Sequence, residues 1–383
     1  MRWLSNVRLP QAGRCRDGAG QRWRIGHRDG VIEVVEPIAA GSAAAGDDWG
    51  GDWLSPMGVD LQINGGLGLA FPELTAADLP RLQELQELLW RDGVDAICPT
   101  LVTCGVEPLR QALAVLAEAR ARTQPGQCRL LGAHLEGPFL APQRRGAHPA
   151  QHLAAPSAAA LQQRIQGFEQ EIALLTLAPE LEGGLELTRQ LTAAGVVVCL
   201  GHSSADADQA EAAFAAGVRM LTHSLNAMAG LQHRAPGPVA AAALRGDIAL
   251  GLIADGVHVA PAMAVLLQRL AAEQLVLVSD ALAPYGLPDG TYHWDERALI
   301  VRAGSCRLQD GTLAGVTLPL LETVRRLVSW GGEASAAIAA ATLTPRRVLG
   351  DGRPVQQLLR GRALSDSLRW SGQGAALHWR HAA

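Results

Sequence analysis

The sequence alternates eight times between a short apolar run and an amphipathic helical pattern, between about residue 55 and residue 349. Each apolar run ends in a cluster of polar residues, and an Ala- and Leu-rich helical segment follows. Eight such repeats predict a closed (β/α)8 barrel of parallel strands. The runs are apolar at nearly every position, which is typical of a sheet buried on both faces. The predicted strands are 58–64, 94–99, 129–136, 172–177, 196–201, 219–223, 248–253 and 275–280.

The two ends of the chain lack this alternation. Residues 1–54 contain only short strand-like pieces, and residues 350–383 are polar and contain tryptophan. We expect the two ends to form a small β domain beside a catalytic barrel of residues 55–349. After the eighth strand, residues 290–315 predict a hairpin insertion that turns at Asp310-Gly311. Helices are predicted at 318–330 and 334–348, and Thr75 and Asp78 predict the start of the first barrel helix.

Composition excludes several classes of function. Hydrophobic residues make up 48% of the chain and charged residues 18%, with a formal net charge of −4. This balance indicates a large core and argues against nucleic-acid or membrane binding. No signal-peptide pattern or membrane-length apolar stretch is evident, so we expect a cytoplasmic protein. None of the six cysteines forms a C-x-x-C pair, and Cys98, Cys128 and Cys199 lie in apolar runs typical of reduced core thiols.

Polar side chains stand where the predicted strands end. Glu136 closes the third strand, His202 and His223 follow the fifth and sixth, and Asp280 follows the eighth. Gln62 and Asn64 occupy the same place on the first strand. Because the carboxyl ends of all barrel strands lie on one face, we expect these side chains to converge there.

The residue types predict a particular chemistry. Two imidazoles and one carboxylate form a three-ligand set for Zn²⁺, with Fe, Co or Mn as alternatives. A metal in such a site lowers the pKa of water and polarises a carbonyl, and a separate carboxylate then moves the proton. Asp280 suits that role. A single histidine at a strand end is more often a packed residue, and a single aspartate often caps a helix. Four such residues on four strands favour a functional site.

Several segments carry a resemblance to a known family. They read HLEGPFL at 134–140, THSLNAM at 222–228, IADGVHV at 253–259 and SDALAP at 279–284. With these motifs in this order, the chain resembles the amidohydrolase superfamily and, within it, the N-acetylglucosamine-6-phosphate deacetylase family. The resemblance covers about residues 56–345.

The resemblance implies roles for individual residues. Glu136, His202 and His223 would bind the metal, and Asp280 would be the general acid and base. It also implies a homodimer that acts on a small sugar phosphate. The substrate contacts that it implies are Ala147, His148, Asn226, Ala227, Arg234, His258, Leu313, Ala314 and Gly315.

Some positions depart from the family pattern. Many amidohydrolases carry H-x-H after the first strand, where this chain has Gln62 and Asn64. Neutral amides are poor metal ligands, so we expect one divalent ion per subunit. Met57 and Val316 replace the usual Pro and Ser, and the tail lacks the Ala-Asp-Leu strand that normally rejoins the β domain.

Three readings of the function follow. The first is metal-dependent hydrolysis of the acetamide of N-acetyl-D-glucosamine 6-phosphate to D-glucosamine 6-phosphate and acetate. The second is deacetylation of a related substrate, such as N-acetylgalactosamine 6-phosphate. The third is a non-catalytic sugar-phosphate-binding homologue, which would require the loss of a ligand or of the acid/base. The sequence retains all of these residues.

Overall fold

The computed structural model describes residues 1–13, 20–39, 46–295 and 297–383. Eight parallel strands form a nearly closed barrel that is surrounded by helices, as the alternating pattern predicts. The barrel strands are Gly58–Ile63, Val94–Val102, Ala133–Glu136, Ile172–Leu177, Val197–Leu200, Val218–Leu221, Ala249–Leu252 and Leu275–Leu277. The helices that follow them are Leu79–Arg91, Val106–Arg122, Ala158–Ile165, Gly184–Ala193, Ala207–Ala216, Gly237–Arg245, Pro261–Ala271 and Leu320–Ser329.

The second barrel strand illustrates why these segments become strands. All nine residues of Val94–Val102 are buried, because the barrel interior covers one face and the helices cover the other. The first helix buries one stripe only, formed by Leu79, Leu82, Leu85 and Leu89. The predicted start signal caps a 3-10 turn, Ala76–Asp78, that leads directly into this helix, and the Asp78 carboxylate accepts hydrogen bonds from the backbone N–H and the hydroxyl of Thr75, both at 2.8 Å.

The barrel closes between its eighth and first strands. The backbone N–H of Asp280 donates to the Gln62 carbonyl at 2.8 Å, and that of Asn64 donates to the Ala281 carbonyl at 2.7 Å. This seam places the end of the eighth strand directly beside the end of the first.

The insertion after the eighth strand is larger than the single hairpin that the sequence predicts. It forms a four-stranded antiparallel sheet of Gly290–Trp294, Arg297–Arg302, Ser305–Leu308 and Leu313–Val316. The turn at Asp310-Gly311 lies where it was expected, between the last two strands. The hairpin prediction was wrong because each strand is only four to six residues long, and the polar residues between them resemble a single loop.

Helices Ala334–Thr342, Thr344–Val348 and Val355–Leu359 follow the barrel. The N-terminal strands Arg2–Val7, Trp23–Arg28, Val31–Pro37 and Asp47–Asp48 form a separate sheet. Its apolar face shares a small core with Val355 and Leu359.

The tail strands Ser367–Ser371 and His378–His381 pair with Trp53–Pro56 rather than with the N-terminal sheet. The buried Trp370 indole donates to the Ser55 hydroxyl at 2.9 Å and anchors this second small sheet. The exact domain boundaries stay a prediction.

The described cysteines are unpaired, and Cys98, Cys128, Cys199 and Cys306 are buried. Cys15 lies outside the described residues. Among the residues that the structure describes, no helix is long and apolar enough to cross a membrane.

Candidate active site

Four strand ends bring their polar side chains together at one end of the barrel. Glu136 is the last residue of its strand, His202 and His223 each follow their strand by two residues, and Asp280 follows by three. All four are buried, with at most 7% of each residue exposed. The sequence predicted this convergence from the common direction of the strands.

Three atoms of this group that could bind a metal lie close to one another. Glu136 Oε1 is 3.1 Å from His202 Nε2 and 3.0 Å from His223 Nε2, and the two Nε2 atoms are 3.0 Å apart. Such a triangle of one carboxylate and two imidazoles matches the ligand set of a catalytic divalent metal. The residues therefore fit a metal ion.

The hydrogen bonds around His202 support this assignment. Its Nδ1 lies 2.8 Å from the Arg144 carbonyl oxygen, which can only accept a hydrogen bond. Nδ1 therefore carries the proton and leaves a lone pair on Nε2, the state that a metal-binding histidine requires. Burial alone would raise the pKa of the Glu136 carboxyl, but its contacts with His202 and His223 hold that pKa well below the usual range.

A second triplet in the same place consists of Glu136, His148 and His202, whose donor atoms all lie within 4.8 Å of one another. His148 Nε2 is 3.9 Å from the Glu136 carboxylate, farther than the nearest nitrogens of His202 and His223. His148 Nδ1 lies 3.0 Å from the Thr103 hydroxyl. Burial lowers the pKa of His148 to about 3, so its ring is neutral. We favour His223 as the third ligand because of its shorter distances.

Asp280 faces two amide side chains of the first strand. Its Oδ1 accepts from Asn64 Nδ2 at 2.7 Å and from Gln62 Nε2 at 3.3 Å. The same Gln62 nitrogen lies 3.1 Å from Glu136 Oε1, so it bridges the two carboxyl groups. Burial, together with the nearby Glu136 carboxylate, raises the pKa of Asp280 to about 7. A carboxyl group with such a pKa can both accept and release a proton near neutrality.

The hydrogen bonds of Gln62 and Asn64 explain why amide side chains suit these two positions. Their nitrogens serve the carboxylates, whereas the buried oxygens Gln62 Oε1 and Asn64 Oδ1 have no hydrogen-bond partner among the described atoms. The two side chains therefore hold Asp280 in place and add no negative charge next to Glu136.

A cavity of about 310 Å³ opens above this group. The predicted site residues on its wall are Asn64, Glu136, Ala147, His148, His202, His223, Asn226, Ala227, His258, Asp280, Leu313 and Ala314. His258 is oriented by Asp255, whose Oδ2 lies 2.7 Å from His258 Nδ1.

Three predicted residues are not on the wall of this cavity. Gln62 lies behind it and acts through its hydrogen bonds to Glu136 and Asp280. Gly315 packs against the backbone of Asp280, where a Cβ atom would come within 2.8 Å of the Asp280 carbonyl oxygen. Arg234 is exposed and stands in the loop after Asn226 and Ala227.

Seven residues of the cavity wall were not predicted from the sequence. These residues are Val102, Gln143, Arg144, Gly146, Ile253, Leu282 and Trp294. Gln143, Arg144 and Gly146 lie just before the predicted Ala147 and His148. Extending that predicted segment toward the N-terminus would have included them. Trp294 comes from the inserted sheet, and no pattern in the sequence indicates that this sheet reaches the barrel mouth.

Three of the converging residues adopt an unusual backbone. The φ angles of His202, His223 and Asp280 are 48°, 29° and 51°. These values lie in the left-handed region, which residues other than glycine rarely adopt. Each stands where its strand turns sharply into a loop. This turn directs the side chain into the cavity at a cost in backbone energy.

Comparisons with known proteins identify several relatives of this chain, although no family model matches it. An N-acetylgalactosamine-6-phosphate deacetylase of Escherichia coli O157:H7 is 39% identical over 84% of this chain and 84% of its own length. An N-acetylglucosamine-6-phosphate deacetylase of Vibrio furnissii is 34% identical over 84% of this chain and 80% of its own length. The crystal structure of N-acetyl-D-glucosamine-6-phosphate deacetylase from Mycobacterium smegmatis aligns with a TM-score of 0.81 and 28% identity, covering 100% of this chain and 99% of that chain.

Proposed function

The chain belongs to the N-acetylglucosamine-6-phosphate deacetylases of the amidohydrolase superfamily, and we propose from this premise that it hydrolyses the acetamide of N-acetyl-D-glucosamine 6-phosphate to D-glucosamine 6-phosphate and acetate. The observation that carries the proposal is the buried Asp280 carboxyl beside the triangle of Glu136, His202 and His223. The triangle would hold the metal, and the carboxyl would move the proton. A metal-dependent amide hydrolase uses both.

Asp280 performs the proton transfers in this mechanism. When bound, the divalent ion would make water more acidic and polarise the acetamide carbonyl. Asp280 would accept a proton as water attacks the carbonyl carbon, and it would then return that proton to the departing nitrogen. Asn64 and Gln62 hold its Oδ1, and burial keeps competing water away. His148 and His258, both on the cavity wall, would bind polar groups of the substrate.

The metal, the assembly and the compartment belong to the same proposal. Zn²⁺ suits one carboxylate and two imidazoles, and Fe, Co and Mn are the alternatives. We propose a homodimer. A cytoplasmic location is supported by the five described cysteines, which are all unpaired, and by a charged sugar-phosphate substrate.

Acetate release from a panel of amino sugars tests the substrate. N-Acetyl-D-glucosamine 6-phosphate should give the highest kcat/KM, above N-acetyl-D-galactosamine 6-phosphate and the two unphosphorylated sugars. A preference for the galactosamine epimer would transfer the proposal to that substrate. The absence of turnover with all four sugars by metal-loaded protein would contradict the enzymatic reading.

The purified protein should contain close to one divalent ion per chain. The reason is that the triangle supplies one set of three ligands, whereas the neighbouring Gln62 and Asn64 are neutral and engaged with carboxylates. Elemental analysis of protein dialysed against metal-free buffer measures this ratio. Two ions retained per chain would contradict a single site.

Substrate phosphate is proposed to bind Arg234. Its guanidinium has no ion pair among the described residues, and its loop begins beside Asn226 and Ala227 on the cavity wall. Arg234→Ala should therefore raise KM for the phosphorylated sugar by about tenfold or more, since a charge-assisted contact is lost.

Arg144 supplies the matched comparison for this prediction because it lies on the cavity wall. KM for N-acetyl-D-glucosamine 6-phosphate would be measured for both variants, with the unphosphorylated sugar as control. A rise in KM for Arg144→Ala alone would assign the phosphate contact to Arg144. Equal use of both sugars by the wild type would refute phosphate recognition altogether.

A further inference from the structure

A second cavity lies at the opposite end of the barrel. It encloses about 700 Å³, compared with about 310 Å³ for the candidate active site. Asp95, on its wall, is the second residue of strand Val94–Val102, and the short strand Arg129–Leu130 pairs beside it. Val102, at the other end of the Asp95 strand, lines the active site. Asp95 and Val102 are seven residue steps apart along the extended strand, which is about 23 Å. We call this second space the arginine cavity.

The walls of the arginine cavity carry more positive than negative side chains. Five arginines face three aspartates: Arg120, Arg129, Arg346, Arg353 and Arg362 against Asp95, Asp351 and Asp366. The whole chain has a net charge of −4, so this concentration of arginine is local rather than general.

The imbalance is greatest around Asp95, which is buried. Its Oδ1 accepts from Arg346 Nη2 at 2.7 Å, and its Oδ2 accepts from Arg362 Nη1 at 2.7 Å. Arg129 Nη2 is 3.8 Å from Oδ2, beyond hydrogen-bonding distance. One carboxylate thus faces three guanidinium groups, and these arginines hold the pKa of Asp95 below its usual range despite burial.

Two of these arginines have a structural role. Arg346 is buried and also donates to the Met57 and Thr342 carbonyls, and Arg362 also donates to the Asp366 carbonyl at 3.3 Å. Their donors connect the C-terminal segment to the barrel. A purely structural network would be complete with these two arginines and Asp95.

Arg129 is the member that this structural role does not explain. Its side chain is 56% exposed, and among the described residues it makes no hydrogen bond through its guanidinium and has only the 3.8 Å contact with Asp95. Arg353, on the same wall, donates to Asp351 through Nε and Nη2, and its Nη1 has no hydrogen-bond partner among the described residues. Free guanidinium donors beside an under-neutralised cluster are the usual means by which proteins bind phosphate.

We propose that the arginine cavity binds a small anion that carries one or more phosphate groups, with Arg129 as its principal contact. The anion supplies the negative charge that Asp95 alone does not provide for three arginines. It binds at the end of the barrel remote from the reacting atoms, so this site is separate from the substrate site.

Calorimetric titration of the metal-loaded protein with inorganic pyrophosphate tests the proposal. The wild type should bind it saturably, and Arg129→Gln should weaken the affinity by about tenfold or more through loss of a charged contact. The affinity should also fall as sodium chloride is raised, since charge contributes most of the binding. Turnover of Arg129→Gln should stay at the wild-type value.

The matched control is Arg122→Gln. The Arg122 side chain is also 56% exposed, but it pairs with Glu118 and lies outside the arginine cavity, so its loss should leave pyrophosphate binding unchanged. Pyrophosphate bound at the active-site metal would persist in Arg129→Gln, and equal affinity in the two variants would therefore overturn the proposal. Absence of saturable binding to the wild type would do the same.

A second titration, with D-ribose 5-phosphate, distinguishes an organic from an inorganic source of the phosphate. The ligand that binds tighter identifies the source. Tighter binding of either ligand supports the site if Arg129→Gln weakens the affinity for that ligand. An affinity that is unchanged in Arg129→Gln counts against the site.

Discussion

Asp280→Asn should lower kcat at least a hundredfold while metal content and melting temperature stay close to those of the wild type. The expected loss is the scale of general acid–base catalysis, because asparagine cannot accept the proton from water or return it to the amine. Asparagine keeps an oxygen at Oδ1 that can accept from Asn64 and Gln62. It also tolerates the left-handed backbone at this position better than most residues do.

Asp60→Asn is the matched control for this variant. Asp60 is equally buried on the first strand, and burial raises its pKa to about 7, as it does for Asp280. Asp60 Oδ1 accepts from the backbone N–H groups of Gln62 and Ser279, each at 3.2 Å, the Ser279 hydroxyl also bonds this carboxyl group, and the residue is not on the cavity wall. Turnover per folded molecule should therefore survive in Asp60→Asn.

Metal content, melting temperature and kcat would be measured on the same preparations of both variants. If Asp280 only bound the metal or capped a helix, Asp280→Asn would lose metal or stability, and its turnover per bound ion would remain near that of the wild type. That pattern would remove Asp280 from the proton-transfer step.

His223→Ala and His202→Ala should each remove most of the bound metal and most of the activity. Each change takes one atom from a triangle whose members lie only 3.0 to 3.1 Å apart, and two remaining ligands hold a divalent ion weakly. Residual metal after dialysis and acetate release would be measured together. Activity that fails to return at high added metal would indicate a collapsed site rather than a weakened one.

His148→Ala separates the two possible ligand triplets. It removes a buried histidine of the same cavity whose Nε2 is 3.9 Å from Glu136. We expect this variant to keep its metal and lose kcat/KM, as a substrate contact should. Loss of metal in His148→Ala with retention in His223→Ala would instead assign the site to Glu136, His148 and His202.

The sequence predicts the barrel and its central residues for a physical reason. A parallel barrel repeats one unit eight times, so strand direction and strand ends can be read from local pattern. Glu136, His202, His223 and Asp280 were found in this way, and the structure brings them together. The hydrogen bonds of Gln62 and Asn64 to Asp280 could not be read, because they cross the closure of the barrel.

Other features depend on contacts between distant segments. Trp294 reaches the cavity through an inserted sheet whose placement no local pattern specifies. The tail strand Ser367–Ser371 selects Trp53–Pro56 as its partner across more than 300 residues. Asp95, Arg346 and Arg362 likewise meet only in the folded chain, and each of them alone resembles an ordinary surface charge.

The left-handed backbone at His202, His223 and Asp280 has a consequence for any effort to make this protein more heat-resistant. Glycine relieves a disfavoured φ angle, so substitution to glycine at these three positions would remove that part of the backbone strain. The same substitutions would delete two proposed ligands and the proposed proton carrier. A screen for thermal tolerance therefore needs an activity assay beside it, because relief of backbone strain at these strand ends removes the residues proposed for catalysis.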